Sequence, residues 1–305
     1  MSARQQGVAI VLAMGVVALA TMTATAIMIT QSTWSRATEL TADHVQAQVL
    51  IQAGVDWSRA VLGDDRRAND VDHLGEPWAL RLPPMPVENG ELAGYIEDQQ
   101  GLFNLNNLVQ GGKANLTQIA HFQRLLSALG LPTLLAGALV DWIDADSERQ
   151  PQGGAEDETY LALQPPYLAA NRPLTDVEEL ALVVGFNDGV RARLRPFVSA
   201  LPTFTAVNVN TASPEVLAAV VDGLGLDGAR AVVAQRQRAY FRSVDEFVRQ
   251  LPPGLIVPTA NISVSSDYFK ATLRVTIGGA QARGVALLAR ANTGGWPTIA
   301  WCKTQ

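Results

Sequence analysis

Residues 8–29 read VAIVLAMGVVALATMTATAIMI and contain no charged side chain. At about 1.5 Å rise per residue, a helix of this length covers the roughly 30 Å hydrocarbon core of a bilayer. Arg4 is the one charged side chain that precedes the segment, and a positive charge there favours keeping the N-terminus in the cytoplasm. The segment therefore predicts a single transmembrane helix, residues 8–29, with most of the chain beyond the membrane.

The helical pattern continues after the membrane segment. Apolar or small residues recur near a 3.6-residue period, and no proline occurs before Pro77. The recurring positions are Leu40, Ala47, Ile51, Gly54, Ser58 and Val61. We therefore predict one helix over residues 8–62, whose amphipathic outer half packs on a globular domain. The charged run at 64–70 is expected to form a solvated helix end or loop.

The late part of the chain has the pattern of a sheet. Apolar and polar residues alternate without a break from Phe269 to Ile277, which is typical of a strand with one buried face. Residues 91–98, 281–289 and 299–302 predict further strands, and turn-forming residues at 292–295 separate the last two. We expect an antiparallel meander of three or four strands packed on the long helix.

A large helical insertion interrupts this sheet. Helices are predicted at residues 116–128, 134–143, 176–184, 214–221, 228–238 and 243–251. The fold class is therefore α+β: a long helix on a small antiparallel sheet, formed by residues 30–104 and 259–305 in a layout that resembles a pilin-like domain, and an all-α insertion of residues 105–258. The insertion contains two similar halves, since FNLN at 103–106 matches VNVN at 207–210, and residues 172–180 resemble 242–248.

The second half resembles the helix-hairpin-helix (SAM-like) units of DNA-binding proteins, with Gly223-Leu224-Gly225 as the hairpin. In such units the hairpin N–H groups bind a phosphate. The basic side chains available nearby are Arg230, Arg236, Arg238 and Arg242. Acidic residues outnumber basic ones across the insertion, and the chain has a net charge of −6, so a packing role is favoured over nucleic-acid binding. A membrane-anchored DNA-binding protein of a competence-like system stays open as the alternative.

Residues 141–160, DWIDADSERQPQGGAEDETY, form the chemically most specific stretch. The candidate ligands of a metal ion are the carboxylates of Asp141, Asp144, Asp146, Glu148, Glu156 and Asp157. So many hard oxygen donors without histidine or cysteine favour Ca²⁺, as one or two ions. Arg149 and Ala155 occupy the positions where an EF-hand has glycine and glutamate. The flanking Trp142 and Tyr160 indicate that a core holds the loop, where packed carboxylates need a cation; a solvated acidic loop is the alternative.

The sequence gives no sign of an enzyme. The three histidines, His44, His73 and His121, fall in separate contexts, and no G-x-S-x-G, H-E-x-x-H or P-loop pattern occurs. Cys302 is the single cysteine, so the chain has no internal disulfide and no thiolate metal cluster.

The N-terminus has an unusual order of features. Gly7 stands directly before the apolar run, whereas a secretory signal has its small-residue cleavage site after that run. This order resembles the leader of type IV pilins and type II secretion pseudopilins. The resemblance implies a leader of residues 1–7, cleavage between Gly7 and Val8 by prepilin peptidase, and a methylated new N-terminus. Leu12 stands where the family usually has glutamate. A plain membrane anchor is the alternative.

Four features of the sequence are specific in combination: the Gly7 leader with Leu12, the 141–160 loop, PPYLAANRPLTDVEEL at 165–180 and VNVNTASPEVL at 207–217. Together they resemble the type II secretion system protein K (minor pseudopilin K) family. The resemblance implies a non-enzymatic minor pseudopilin at the tip of the pseudopilus, which supports export of folded proteins across the outer membrane. It also implies calcium in the helical domain and an inner-membrane anchor with a periplasmic C-terminal domain. The implied partners are pseudopilins I, J and H, prepilin peptidase, and secreted substrates or the outer-membrane secretin, with no nucleic acid.

Overall fold

The first element is a single long helix, α1 (Ala3–Ala68). The computed structural model describes residues 3–255, 257–290 and 295–305, with side chains from residue 9 onward in this helix. The helix begins inside the predicted leader and continues past Leu62, its predicted end. It is the one described helix that is long and apolar enough to cross a membrane, and its apolar stretch is unburied. Such a surface needs lipid or other apolar helices around it.

Seven further helices and eleven strands follow within the described residues. The helices are α2 (Leu116–Ala128), α3 (Leu135–Ile143), α4 (Asp157–Leu161), α5 (Asp188–Leu194), α6 (Pro214–Val220), α7 (Gly225–Arg236) and α8 (Val244–Arg249). The strands are β1 (Leu82–Val87), β2 (Gly90–Asp98), β3 (Phe103–Asn104), β4 (Val109–Gln110), β5 (Lys113–Ala114), β6 (Val198–Ser199), β7 (Val207–Asn208), β8 (Ile262–Ser263), β9 (Tyr268–Ile277), β10 (Ala280–Ala289) and β11 (Thr298–Thr304).

The main sheet is antiparallel with the strand order β1-β2-β9-β10-β11. The neighbouring strands β2 and β9 are in register, with Asp98 opposite Phe269. The chain therefore leaves the sheet after Asp98 and returns one strand away at Tyr268. The sheet has five strands, so the prediction of three or four was wrong. The missed strand is β1, which has the sequence LPPMPV. Its prolines hid the strand pattern, and they are tolerated because β1 lies at the edge of the sheet.

The outer half of α1 packs on one face of this sheet, as its period predicted. Its buried residues contact the apolar face of β9 in a core formed by Ala47, Ile51, Val55, Leu62, Trp78, Ile96, Phe269, Ala271, Leu273, Val275, Ile277, Ala282, Ala286 and Leu288. Helix and sheet approach closely at two glycines, since a Cβ at Gly284 would clash with Ile51 and one at Gly54 with Leu273. The contact at Gly284 needs hydrogen in place of a side chain, whereas Gly54 meets the flexible end of the Leu273 side chain.

The insertion has a second core, and it is not all-α as predicted. Two-stranded pairs join β3 to β6, β4 to β5 and β7 to β8. Each of these strands has two residues, too few to show an alternating pattern. The short helices α4 and α5 were also missed, and the helix predicted at 176–184 is a 3-10 helix over Val177–Leu182. The predicted helices at 116–128, 134–143 and 214–221 agree with α2, α3 and α6 to within a residue at each end.

The two halves of the insertion repeat the same local geometry. The side-chain amide of Asn106 accepts a hydrogen bond from Leu174 N and donates one to Leu174 O. Asn210 makes the same pair of bonds with Phe241. The strands β3 and β7, which open the two halves, both pair in parallel with their partners. The similarity of the two sequence segments therefore reflects a structural repeat.

Candidate metal centre

The acidic loop begins at the C-terminal end of α3, a helix whose residues are all buried. Asp141 lies in its last turn and Asp144 is its C-cap. Trp142 packs edge-on against Tyr160 with 5.0 Å between ring centroids, and both rings are buried. A core therefore holds the loop, as the sequence predicted.

Hydrogen bonds between side chains and the backbone fold the loop back onto α3. The Nε of Arg149 donates to the carbonyl oxygen of Gly154 at 2.6 Å, and Gln150 N donates to Asp141 Oδ1 at 3.1 Å. Gly153 has φ of 74°, and a Cβ at Gly154 would lie 2.5 Å from Asp141 Oδ2. The glycine pair is thus required for the turn that brings Glu156 next to the helix end.

Three of the predicted ligands converge. One carboxylate oxygen from each of Asp141, Asp144 and Glu156 lies within 4.8 Å of the other two. Their exposed fractions are 0%, 1% and 9%. Within the described part of the chain, Asp144 Oδ1 and Glu156 Oε1 are buried with no hydrogen-bond partner. Buried carboxylate oxygens without a partner are unfavourable, so each calls for a proton or a cation.

The electrostatics of this group also favour a cation. Burial is the main cause that raises the pKa of Asp144 to about 7, and the charges of Asp146, Asp141 and Glu156 raise it further. Burial likewise raises the pKa values of Asp141 and Glu156. Two of the three carboxylates also stand at the C-terminal end of α3, where the helix dipole is negative. A divalent ion with a preference for hard oxygen ligands fits this donor set.

The other three predicted ligands lie outside the buried group. Asp146 and Glu148 are exposed, and Asp146 Oδ1 accepts a hydrogen bond from Glu148 N at 2.8 Å. Asp157 is half-buried, and its Oδ1 accepts from Ala169 N at 2.9 Å. The structure therefore joins Asp141, Asp144 and Glu156, while Asp146 acts on them through its charge.

A second carboxylate group, which the sequence analysis missed, is already satisfied by the protein. Arg290 binds Asp65 at 2.8 Å and also pairs with Asp72. Glu76 accepts from the indole N–H of Trp78 at 2.7 Å. The prediction of a solvated loop was wrong for Asp65, whose side chain is 7% exposed. Its partner lies on the far side of the insertion in sequence, so no local pattern pointed to it.

Two of the four arginines that would serve nucleic-acid binding are engaged within the protein. The guanidinium of Arg236 is partly buried and donates to the carbonyl oxygens of Val209 and Ala212, both at 2.7 Å. Arg230 pairs with Asp227 at 3.2 Å. Arg238 and Arg242 are exposed. These contacts support the interpretation of the second repeat as a packing unit.

The histidines lie apart from one another and from the carboxylate group. His44 is exposed on α1, and His73 stacks on Tyr240 with 3.8 Å between ring centroids. His121 is buried in α2, and burial lowers its pKa to about 4. None of the three belongs to the buried carboxylate group of the acidic loop.

Comparison with known proteins assigns the family. Models of the type II secretion system (T2SS), protein K, match residues 101–203 and 207–265. The type II secretion system protein K of Pseudomonas aeruginosa is 37% identical over 303 residues, covering 95% of this chain and 90% of the relative. The protein K of Klebsiella pneumoniae is 35% identical over 307 residues, covering 94% and 93%.

A solved structure shares the architecture. A chain of the GspK-GspI-GspJ complex from the type 2 secretion system of enterotoxigenic Escherichia coli superimposes with a TM-score of 0.78 at 28% identity, covering 88% of this chain and 99% of that one. The resemblance drawn from the sequence is confirmed, and the competence-like alternative is not favoured. By sequence and by fold, the chain belongs to the type II secretion system protein K family.

Proposed function

We propose that this chain is a minor pseudopilin that caps the tip of the type II secretion pseudopilus and so supports export of folded proteins across the outer membrane. The observation that carries the proposal is the insertion of residues 99–267 between the adjacent strands β2 and β9. A subunit inside a shaft needs room above its head for the next subunit. A head enlarged by this insertion would occupy the space that the next subunit needs. Such a subunit therefore fits at the end of the filament, where no further subunit follows.

The N-terminal helix supplies the means of assembly. Its apolar stretch is unburied, so it fits the bilayer before assembly and a bundle of apolar helices afterwards. Leu12 replaces the glutamate that, in the pilin family, pairs with the terminal amine of a neighbour. A subunit with nothing above it does not need that pairing.

The partners follow from the family. The E. coli relative was solved with GspI and GspJ, and we propose that pseudopilins I and J, together with H, bind this chain. Prepilin peptidase cuts between Gly7 and Val8, after which the new N-terminus is methylated. The protein then spans the inner membrane once, with its C-terminal domain in the periplasm, where the tip meets secreted substrates or the secretin.

The carboxylate centre is proposed as a structural calcium site. Asp141, Asp144 and Glu156 would hold the first ion, because their buried oxygens lack other partners. Asp146, whose charge raises the pKa of Asp144, is a candidate for a further ligand, and Glu148 and Asp157 would join it if a second ion binds. The ion would fix the loop to the end of α3, with no catalytic step and no enzymatic role for the chain.

The second repeat is proposed as a helix-hairpin-helix packing unit. Its helices α6 and α7 are joined through Gly223, with φ of 78°, and Gly225, with φ of 64°. Their buried side chains belong to the insertion core. The unit thus contributes to the bulk of the cap and needs no nucleic acid.

A complementation experiment tests the proposal. In a host that lacks its own protein K, the full chain is compared with a variant in which residues 99–267 are replaced by a short turn. Asp98 is the register partner of Phe269 on the neighbouring strand, so a short turn can join the two strands at that point. The full chain should restore secretion and co-purify with pseudopilins I and J. Equal secretion by the shortened chain, at equal abundance, would contradict the capping role.

A further inference from the structure

The sheet face opposite α1 carries two arginines at directly opposed positions of neighbouring strands. Arg274 of β9 is the register partner of Arg283 of β10, and both are exposed. Like charges placed opposite each other destabilise a sheet. Among the described residues neither arginine forms an ion pair; the nearby Glu97 pairs with Lys270 at 3.6 Å. In a chain of net charge −6 the two guanidinium groups therefore lack an ion-pair partner, although Glu91 lies on the same face, opposite Thr276, and Gln305 pairs with Arg283 through the backbone.

A third arginine completes the surface. The guanidinium carbon of Arg81 lies 4.5 Å from the ring centroid of Tyr95, which holds the charge over the sheet. Arg81, Arg274 and Arg283, with Tyr95, line one cavity of about 330 Å³, and no acidic side chain lines it. We call these three arginines the arginine face.

The cavity is continuous with a cleft between the sheet and the insertion. The two share Tyr95, Thr272 and Arg283, and the cleft has a volume of about 480 Å³. Two other basic groups in the cleft have partners, because Lys303 pairs with Asp176 and Arg195 with Glu178. The guanidinium groups of the arginine face thus have no ion-pair partner among the described residues, and this face adjoins the cleft.

The height of this face above the membrane excludes a lipid headgroup as its ligand. Gly284 of β10, which follows Arg283, packs on Ile51 of α1. Ile51 is 22 residues beyond Ile29, the end of the predicted membrane segment, which is about 33 Å along the helix. Headgroups extend only about 5–8 Å beyond the hydrocarbon core. The anion must therefore come from a soluble molecule or a protein.

We propose that the arginine face binds the carboxylates of an acidic, extended segment of a partner polypeptide. Guanidinium groups present paired N–H donors that match a carboxylate. The adjoining cavities of about 330 and 480 Å³ have more room than a small ion needs, and Tyr95 offers an apolar contact beside the guanidinium groups. This surface is separate from the carboxylate centre, and its occupant needs no calcium.

The test uses the full chain in non-ionic detergent and fluorescein-labelled hexaglutamate as the probe. Fluorescence anisotropy is measured without added calcium, which the probe would chelate. The native chain should bind hexaglutamate and not hexaglutamine. The double variant R274Q/R283Q should bind roughly tenfold more weakly or worse, as expected for two lost charge-assisted contacts. Its melting temperature without probe should equal or exceed the native value, because the like-charge pair is gone.

The matched control is R238Q/R249Q, which removes two exposed arginines of the insertion and gives the same net charge. It should bind the probe like the native chain. Equal weakening in both double variants, or no binding by the native chain, would overturn the proposal. Displacement of the probe by inorganic phosphate at matched ionic strength and similar concentration would also overturn it, because the site would then select anions in general. None of these readouts depends on secretion or on calcium.

Discussion

Asp98, the last residue of β2, accepts a 3.0 Å hydrogen bond from the side-chain amide of Asn208 in the second repeat of the insertion. Thr211 and Ser266 donate their hydroxyls to the same carboxylate oxygen at 2.5 and 2.8 Å. The side chain of Asp98 is buried. One carboxylate therefore joins the sheet to the insertion at the place where the chain leaves β2 and where it returns.

Replacing this carboxylate should loosen that junction. In Asp98→Asn an NH₂ group replaces one oxygen of the carboxylate. This group is itself a donor, so it cannot accept the hydrogen bonds that the three neighbouring donors make to the carboxylate. We expect the free energy of unfolding at pH 7 to fall by about 1–3 kcal/mol, the cost of unsatisfied buried polar groups. Thermal melting of the detergent-solubilised chain measures it. Glu97→Gln, on the opposite face of the same strand, is the control and should change stability by less than about 1 kcal/mol. Equal effects of the two substitutions would count against the junction.

Calcium should stabilise the chain through the buried carboxylate group. At a calcium concentration about 100 times the dissociation constant, binding adds about 2.7 kcal/mol to the free energy of unfolding. Asp144→Asn and Glu156→Gln should abolish most of the calcium-induced rise in melting temperature, while Glu158→Gln, at an exposed position outside the candidate ligands, should retain it. Calorimetry gives a direct readout. Absence of both heat and stabilisation in the native chain would refute the calcium site.

Without calcium the same group should make stability depend on pH. The pKa of Asp144 is raised to about 7 from its ordinary 3.8, so the folded chain holds a proton that the unfolded chain releases. The free energy of unfolding should therefore fall as pH rises from about 4 to about 7. Melting in a chelator across this range should show a smaller decline for Asp144→Asn than for the native chain. An identical decline in both would show that Asp144 does not hold the proton.

The elements that could be predicted from the sequence are those with a local period. The outer half of α1 and the strand β9 repeat every 3.6 and two residues, and both were found where expected. The carboxylate group was predicted because its members are close in the chain and the Gly153-Gly154 turn is visible. Even there, periodicity did not show which of the six side chains turn inward.

The contacts that could not be predicted join residues far apart in the sequence. Asp65 and Arg290 are separated by 225 positions, and Asp98 and Asn208 by 110. Each of these residues has an ordinary polar neighbourhood in the sequence, so nothing local distinguishes a buried ion pair from a solvated charge. The opposition of Arg274 and Arg283 likewise depends on strand register, which is set by the turn between β9 and β10.

The leader should be removed at Gly7. Mass spectrometry of the chain from cells with prepilin peptidase should give a mature protein that begins at methylated Val8. Gly7→Leu should block cleavage, whereas Gly15→Leu, at a helix position with no neighbouring atoms within 4 Å, should be processed normally. Equal processing of both variants would show that Gly7 is not the recognition residue.

The tip position is tested most directly by labelling isolated pseudopili. Cys302 is the single cysteine of the chain and is exposed on β11, so a maleimide-gold particle reports where each copy sits, and Cys302→Ser serves as the unlabelled control. Electron microscopy should show gold at one end of each filament and none along its length. Gold distributed along the shaft would contradict the account.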